Sequence, residues 1–201
     1  MVPLLKTDGI DIAVARTLRL VSVTTHYAPF WQRNFSDALR TDAWAYHDSR
    51  LTHEHELPWA DLPARWERRC ALRSDFARRQ ALLEIDVLVG QALDLTLDEL
   101  LTIYRVQFAV MRQYENADEY DTTGRRLPNT VRKDAGGTEL RAARERHDGT
   151  SPITVSWPID NGNATVTRTF HPPFTRVDRE DDYRRAWAAF AVHLTPAAAK
   201  D

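Results

Sequence analysis

The longest stretch of helical hydrophobic patterning runs from Ser74 to Asn116, and the rest of the chain reads as arranged around it. Ser74 and Asp75 can accept hydrogen bonds from the free amides of a first helical turn, so a helix is expected from there to about Leu93. Its apolar positions, among them Phe76, Leu82, Leu83, Val87, Leu88, Val89 and Leu93, cover most of the helix circumference. A helix that is apolar on so many sides belongs in the centre of a fold, packed on at least two flanks. After a short break at Asp94 and Leu95, Thr96 and Glu99 have the spacing of a capping box. The second helix they start carries Leu97, Leu100, Leu101, Tyr104, Phe108, Met111 and Tyr114 at steps of three and four, a face made for burial.

Two helices joined this closely form either a packed hairpin or a helix-turn-helix corner. The outward side of the second helix offers Asp98, Glu99 and Glu115 beside Arg105 and Arg112, and three acids repel DNA, which favours the packed pair. Inside the apolar wrap of the first helix, Glu84 and Asp86 stand out. A buried carboxylate needs a partner, and Arg105 or another arginine is expected to reach one of them; a catalytic carboxylate is the alternative.

Before this core, alternating apolar positions at Leu18 and Leu20 lead into a Thr-Thr-His-Tyr turn and an amphipathic helix with Phe30, Trp31 and Phe35 inward. Residues 42–63, rich in His, Asp, Glu, Trp and Pro, read as a long irregular connection. His53 and His55 alternate there as a metal pair might, but a metal site needs three or four converging ligands, and a solvated acidic loop is the plainer reading. Arg65 to Arg79 is the densest basic run. It either follows a nucleic-acid backbone or forms a helix shoulder that pairs with acids elsewhere.

After the helix pair, the Asp121 to Gly124 turn signals a hairpin, with Arg125, Arg126, Arg132 and Lys133 beyond it, then Gly136-Gly137 and a short basic helix bearing Arg141 and Arg144. Residues 94–121 are acidic and 125–146 basic, so Arg125, Arg126, Arg132, Lys133, Arg141 and Arg144 are the candidate phosphate contacts. The strand-like segments ITVSW and ATVTRTF, joined through Asp160-Asn161-Gly162-Asn163, should form an antiparallel pair, and acids at Asp178 to Asp182 start a final helix. The expected fold is α+β, mainly helical: a central helix pair (about 74–93 and 97–116), a basic hairpin, and a C-terminal antiparallel strand pair followed by a helix. One domain over 1–201 is expected, with a possible division into a helical core (1–120) and a hairpin, strand and helix portion (121–201).

Composition narrows the function classes. The 201 residues are 43% hydrophobic and 28% charged, as in a globular chain, and no apolar run reaches membrane-spanning length. The first residues lack the basic head and unbroken apolar core of a signal peptide, and the single Cys70 rules out an internal disulfide; both fit the cytoplasm. A net charge of −2 means that any nucleic-acid surface arises from local segregation of charge. No phosphate-binding loop, Gly-x-Ser-x-Gly elbow or Glu-x-Lys pair is present, and Cys70 has no identifiable histidine partner, so neither a cofactor nor a catalytic residue is expected. His171-Pro172-Pro173-Phe174 is superficially similar to the Asn/Asp-Pro-Pro-Tyr/Phe motif of amino-group DNA methyltransferases. Histidine does not reproduce that acceptor geometry, and no glycine-rich cofactor loop accompanies it, so it reads as a strand-end turn.

A resemblance adds to this. Leu18-Arg19-Leu20 with Thr24-Thr25-His26-Tyr27, the run Arg78 to Asp86, the run Leu95 to Phe108, the Tyr-Asp-x-x-Gly-Arg turn at Tyr120 to Arg125, and the segment from Pro172 to Glu180 before Tyr183-Arg184-Arg185-Ala186-Trp187 follow one another in order. Together they resemble the C-terminal region of large bacterial adenine-specific DNA methyltransferases of restriction-modification and phage-defence systems, over about Leu18 to Phe190. The resemblance implies a target-recognition or DNA-holding portion that works with a separate methyltransferase core. It carries over no catalytic residue, because the family's cofactor loop and catalytic motif have no counterpart here. A scaffold module docking a partner in a defence complex is the alternative.

Overall fold

The computed structural model describes residues 7–51 and 54–194; His53 and the tail after Leu194 lie outside them. In chain order the helices are α1 (Thr7–Val21), α2 (Ala28–Asn34), α3 (Asp75–Ala92), α4 (Leu97–Gln107), α5 (Ala109–Glu115), α6 (Gly137–Arg144) and α7 (Arg179–Leu194). The strands are β1 (Glu119–Tyr120), β2 (Ile153–Ile159), β3 (Ala164–Phe170) and β4 (Thr175–Arg176). This is an α+β, mainly helical fold. Among the described residues no helix is long and apolar enough to cross a membrane.

α3 is central. Ser74 caps it, its hydroxyl oxygen accepting from the Ala77 amide at 3.1 Å. Leu83, Val87 and Leu88 pack with Leu100, Leu101 and Tyr104 of α4 and with Tyr183, Ala186 and Phe190 of α7, so the helical core draws on both ends of the chain. Nearer its start, Phe76, Ala77 and Ala81 pack on Leu20, Leu51, Leu72 and Tyr120. The wrap is incomplete on one side, where Leu82, Val89 and Leu93 are exposed.

The Thr96 and Glu99 capping box forms as expected, but the second helix does not run unbroken to Asn116. Phe108 leaves helical geometry (φ −114°, ψ 33°), which splits the segment into α4 and α5 and turns Glu115 into the core. Phe108 itself is exposed, contrary to its place in the expected buried face.

The alternating segment at Leu18 and Leu20 is the end of a helix, α1. Arg16 and Arg19 interrupt its apolar period, yet both are buried. The Arg16 Nε donates to the Glu84 carboxylate, Nη1 to Asp42 Oδ2 at 2.7 Å and to the Ile12 carbonyl at 3.1 Å, and Nη2 to the Ala43 carbonyl at 2.7 Å. Glu84, 0% exposed, also accepts from Gln80 Nε2 at 2.8 Å and from the Ala45 amide at 2.9 Å. Arg16, not Arg105, is therefore the partner of the buried acid. Arg105 lies on the outer side of α4 and forms a two-pronged pair with Glu180. Asp86 accepts from Arg179 Nη2 at 2.9 Å and from the Tyr183 hydroxyl at 2.7 Å.

Residues 42–51 and 54–63 carry no more than short 3-10 turns, as expected of an irregular connection, but they are not a merely solvated acidic loop. Asp42 serves Arg16, the buried Glu56 caps the approach to α3 by accepting from the Arg73 and Ser74 amides, and Trp59 and Leu62 join Leu18, Trp31 and Cys70 in a second core. β2 and β3 pair antiparallel from Ile153↔Phe170 to Ile159↔Ala164, closed by Asp160 and Asn161 at positive φ (50° and 52°). α6 covers the inner face of this ribbon, where Leu127, Leu140, Ile153, Val155, Trp157 and Phe170 form a fourth cluster.

A buried ion pair that loses one partner leaves an uncompensated charge. Arg16→Met should therefore lower the unfolding free energy in urea by about 3–5 kcal/mol, whereas Arg16→Met with Glu84→Leu should recover most of that loss. A single variant within about 1 kcal/mol of wild type would remove the pair from its central place.

Candidate functional site

The turn after β1 is built on Asp121. One carboxylate oxygen accepts from the Thr123 amide (2.9 Å), the Thr123 hydroxyl (2.7 Å) and the Arg125 amide (3.0 Å), and the other accepts from the His171 amide (3.2 Å). Gly124 completes the turn at φ 77°, where a Cβ would lie 2.7 Å from the Arg50 carbonyl oxygen. The expected hairpin goes no further than this turn. Only the bridge Tyr120↔Arg126 links its arms, while β1 pairs instead with β4. His171-Pro172-Pro173-Phe174 is a strand-end turn held against the loop: the His171 carbonyl accepts from the Thr122 amide at 3.0 Å.

The six candidate phosphate contacts divide into two groups. Arg132 donates from Nε and Nη2 to the two oxygens of the buried Asp118, at 2.9 and 2.8 Å. Arg126 Nη1 reaches Asp118 at 3.2 Å and Asp134 at 2.8 Å, and Asn129 Nδ2 adds a bond to Asp118 at 3.0 Å. Arg144 pairs with Glu119 at 2.5 Å and lies 5.1 Å from the Phe174 ring centroid. Arg126 and Arg132 thus shape and hold the loop from Arg126 to Asp134, Arg144 ties α6 to β1, and all three guanidinium groups are already paired with acids. Arg125 donates to the Thr169 carbonyl at 3.2 Å and keeps part of its guanidinium exposed. Lys133, at φ 56°, and Arg141 are exposed, with no ion pair among the described residues.

Two shallow grooves meet along this loop, sharing Pro128. One is lined by Glu119, Asn129, Arg141, Arg144, Glu145 and Arg176, the other by Arg73, Asp75, Arg125, Arg126, Asp134 and Arg168. Three of the four acids in them are already engaged: Glu119 by Arg144, Asp134 by Arg126, and Asp75 by the Arg126 amide at 2.9 Å. The exposed Arg141, Arg168 and Arg176 with the part-exposed Arg125 thus form an excess of positive charge along the two grooves, and the exposed Lys133 stands on the loop between Arg126 and Asp134. Arg168 and Arg176 are invisible to a reading by charge runs, since they come from strands far along the sequence. Trp157 lies beneath this surface, and a Cβ on Gly136 (φ 85°) would approach its ring to 2.5 Å.

The Arg65 to Arg79 run splits likewise. Arg65, Arg68 and Arg69 are exposed, Arg73 and Arg78 donate to backbone carbonyls, and Arg79 is buried with its Nη1 2.7 Å from Asp182. Tyr46 joins the same acid, its hydroxyl donating to Asp182 Oδ1 at 2.9 Å, and burial beside that carboxylate pushes the phenol well above its usual range. Burial pushes the Tyr120 phenol up to about 12. These groups hold the core together and line neither of the two grooves. His47 and His55 are exposed, and among the described residues no three His, Cys, Asp or Glu side chains gather to hold a metal ion.

Comparison with family models, with curated proteins and with solved structures returns no match.

Cys70 is fully buried, its sulfur accepting from the Glu67 amide, and burial raises its thiol pKa, which disfavours the reactive thiolate. A disulfide reagent such as dithionitrobenzoate should leave the folded protein unmodified and titrate one thiol after unfolding in urea. Rapid reaction in the folded state would refute this account of Cys70.

Proposed function

We propose that this chain is a non-catalytic, cytoplasmic DNA-binding or specificity module that works with an adenine-specific DNA methyltransferase of a restriction-modification or phage-defence system. The observation that supports it most is the local excess of exposed cations along the paired grooves, in a chain whose net charge is −2. Guanidinium groups suit phosphate because their planar fork donates two parallel hydrogen bonds. Arg125, Lys133, Arg141, Arg168 and Arg176 are the phosphate contacts in this reading. Arg126 and Arg132 act one step back, by holding the loop beside them, and Arg144 does so by tying α6, which carries Arg141, to β1. The methyltransferase association rests on the ordered resemblance from Leu18 to Phe190 and on the absence from the sequence of a cofactor loop of its own.

The test is binding of the purified chain to a random DNA duplex at about 50 and 200 mM salt, the range over which counterion release by phosphate contacts shows itself. Affinity should fall steeply with salt, and Arg141→Ala or Arg168→Ala should each reduce the slope of log affinity against log salt by about one. Arg132→Ala should instead lower thermal stability. Failure to bind at the lower salt, or a slope indifferent to the exposed arginines, would overturn the proposal.

A further inference from the structure

The largest apolar exposure of the described residues lies on the helical core and shares no residue with the basic grooves. Leu82, Val89 and Leu93 form one stripe along α3, spaced at seven and four so that they stack on a single helix side. Ile103 and Val106 of α4, Phe108 at the break and Val110 of α5 continue it. Seven of the twelve exposed large hydrophobic residues among those described therefore fall on α3, α4, α5 and the turns that end them, and four of the seven line one groove. Together they expose several hundred Å² of apolar surface, the scale at which a patch marks an interaction site.

The face has relief as well as area. Between α3 and α4 runs a cavity of about 260 Å³ whose walls are Val89, Leu93, Ile103 and Phe108 and whose floor is Gly90 and Leu100. Val106, one turn on from the wall residue Ile103, and Val110, two residues past the wall residue Phe108, are the two most exposed large hydrophobic residues described, at 66% and 65%. The break at Phe108 ends α4 just past Val106 and leaves Phe108 and Val110 outside the core. A knob and a hole side by side on one face are what a two-fold contact requires, because each copy then fills the other's hole.

Charge points the same way. The start of the face carries the exposed Asp94, Asp98 and Glu99; its far end carries Arg105 and Arg112, which share the single acid Glu180 and so leave a net positive charge. Two copies with their α4 helices antiparallel bring the acidic start of one to the basic end of the other, whereas a parallel arrangement sets like charges together. From this we infer that the α3–α4–α5 face is a homodimer interface, with Val106 close to the two-fold axis, facing its counterpart, and Val110 of each copy seated in the groove of the other.

Sedimentation equilibrium of the full chain tests it. Wild type should show a mass of two chains in the micromolar range, and Val106→Glu, at a site too exposed to disturb folding, should weaken the dimer at least about tenfold by desolvating a charge at the contact. Val106→Cys supplies an accessible thiol, since Cys70 is buried, and should form a two-chain disulfide on mild oxidation. Val131→Cys, exposed elsewhere, should not. A single-chain mass for wild type throughout that range would overturn the inference, as would a Val106→Glu variant that stays dimeric or a Val131→Cys variant that cross-links equally fast. DNA binding is scored separately and is independent of any of these outcomes.

Discussion

The pair between Arg16 and Glu84 is the constraint from which the rest of the helical core follows. Two opposite charges withdrawn from water persist only if their hydrogen-bonding capacity is filled, and filling it here requires α1, α3 and the 42–45 turn to meet at one point. Trp44, Trp59 and Phe190 close around the Arg16 guanidinium with ring centroids 5.3–5.8 Å away, which brings α7 to the same place. Arg19, one turn further along α1, repeats the device with backbone partners: it donates to the Cys70 and Leu57 carbonyls, and burial lowers its pKa to about 10. Purely apolar helices can slide on one another; a helix fixed through two guanidinium groups has one register.

The same device explains how the described residues between α2 and α3 stay ordered with little regular structure. Their carbonyls are taken up by side chains rather than by a ladder. Trp31 donates to Pro63, Arg40 to Leu62 and Arg19 to Leu57, at 3.0, 2.8 and 2.6 Å. Each such bond satisfies a backbone group that a buried loop would otherwise leave unpaired.

This division marks what could be read from the sequence. Ser74 and the Thr96–Glu99 box announced their helices because a cap is a local signal, and the Asp160–Asn163 turn announced the β2–β3 ribbon for the same reason. α1 was hidden because its buried side includes Arg16 and Arg19, which count as polar in any periodicity, and only a distant acid or carbonyl makes them interior residues. The break at Phe108 has no glycine or proline to signal it. At the basic surface, position in the sequence gave charge but not pairing. Asp118, Glu119 and Asp134 decide which arginines remain exposed, and Arg168 and Arg176 join them only because β3 and β4 pass beside the loop.

Asp118 gives that surface one further property. Its carboxylate gathers Arg126, Asn129 and Arg132, and through them fixes a loop that has no ladder of its own. The conformational freedom such a loop surrenders is given up when the chain folds, not when a ligand arrives. A ligand that associated there would therefore meet a preorganised surface, with little further entropic penalty for ordering the loop.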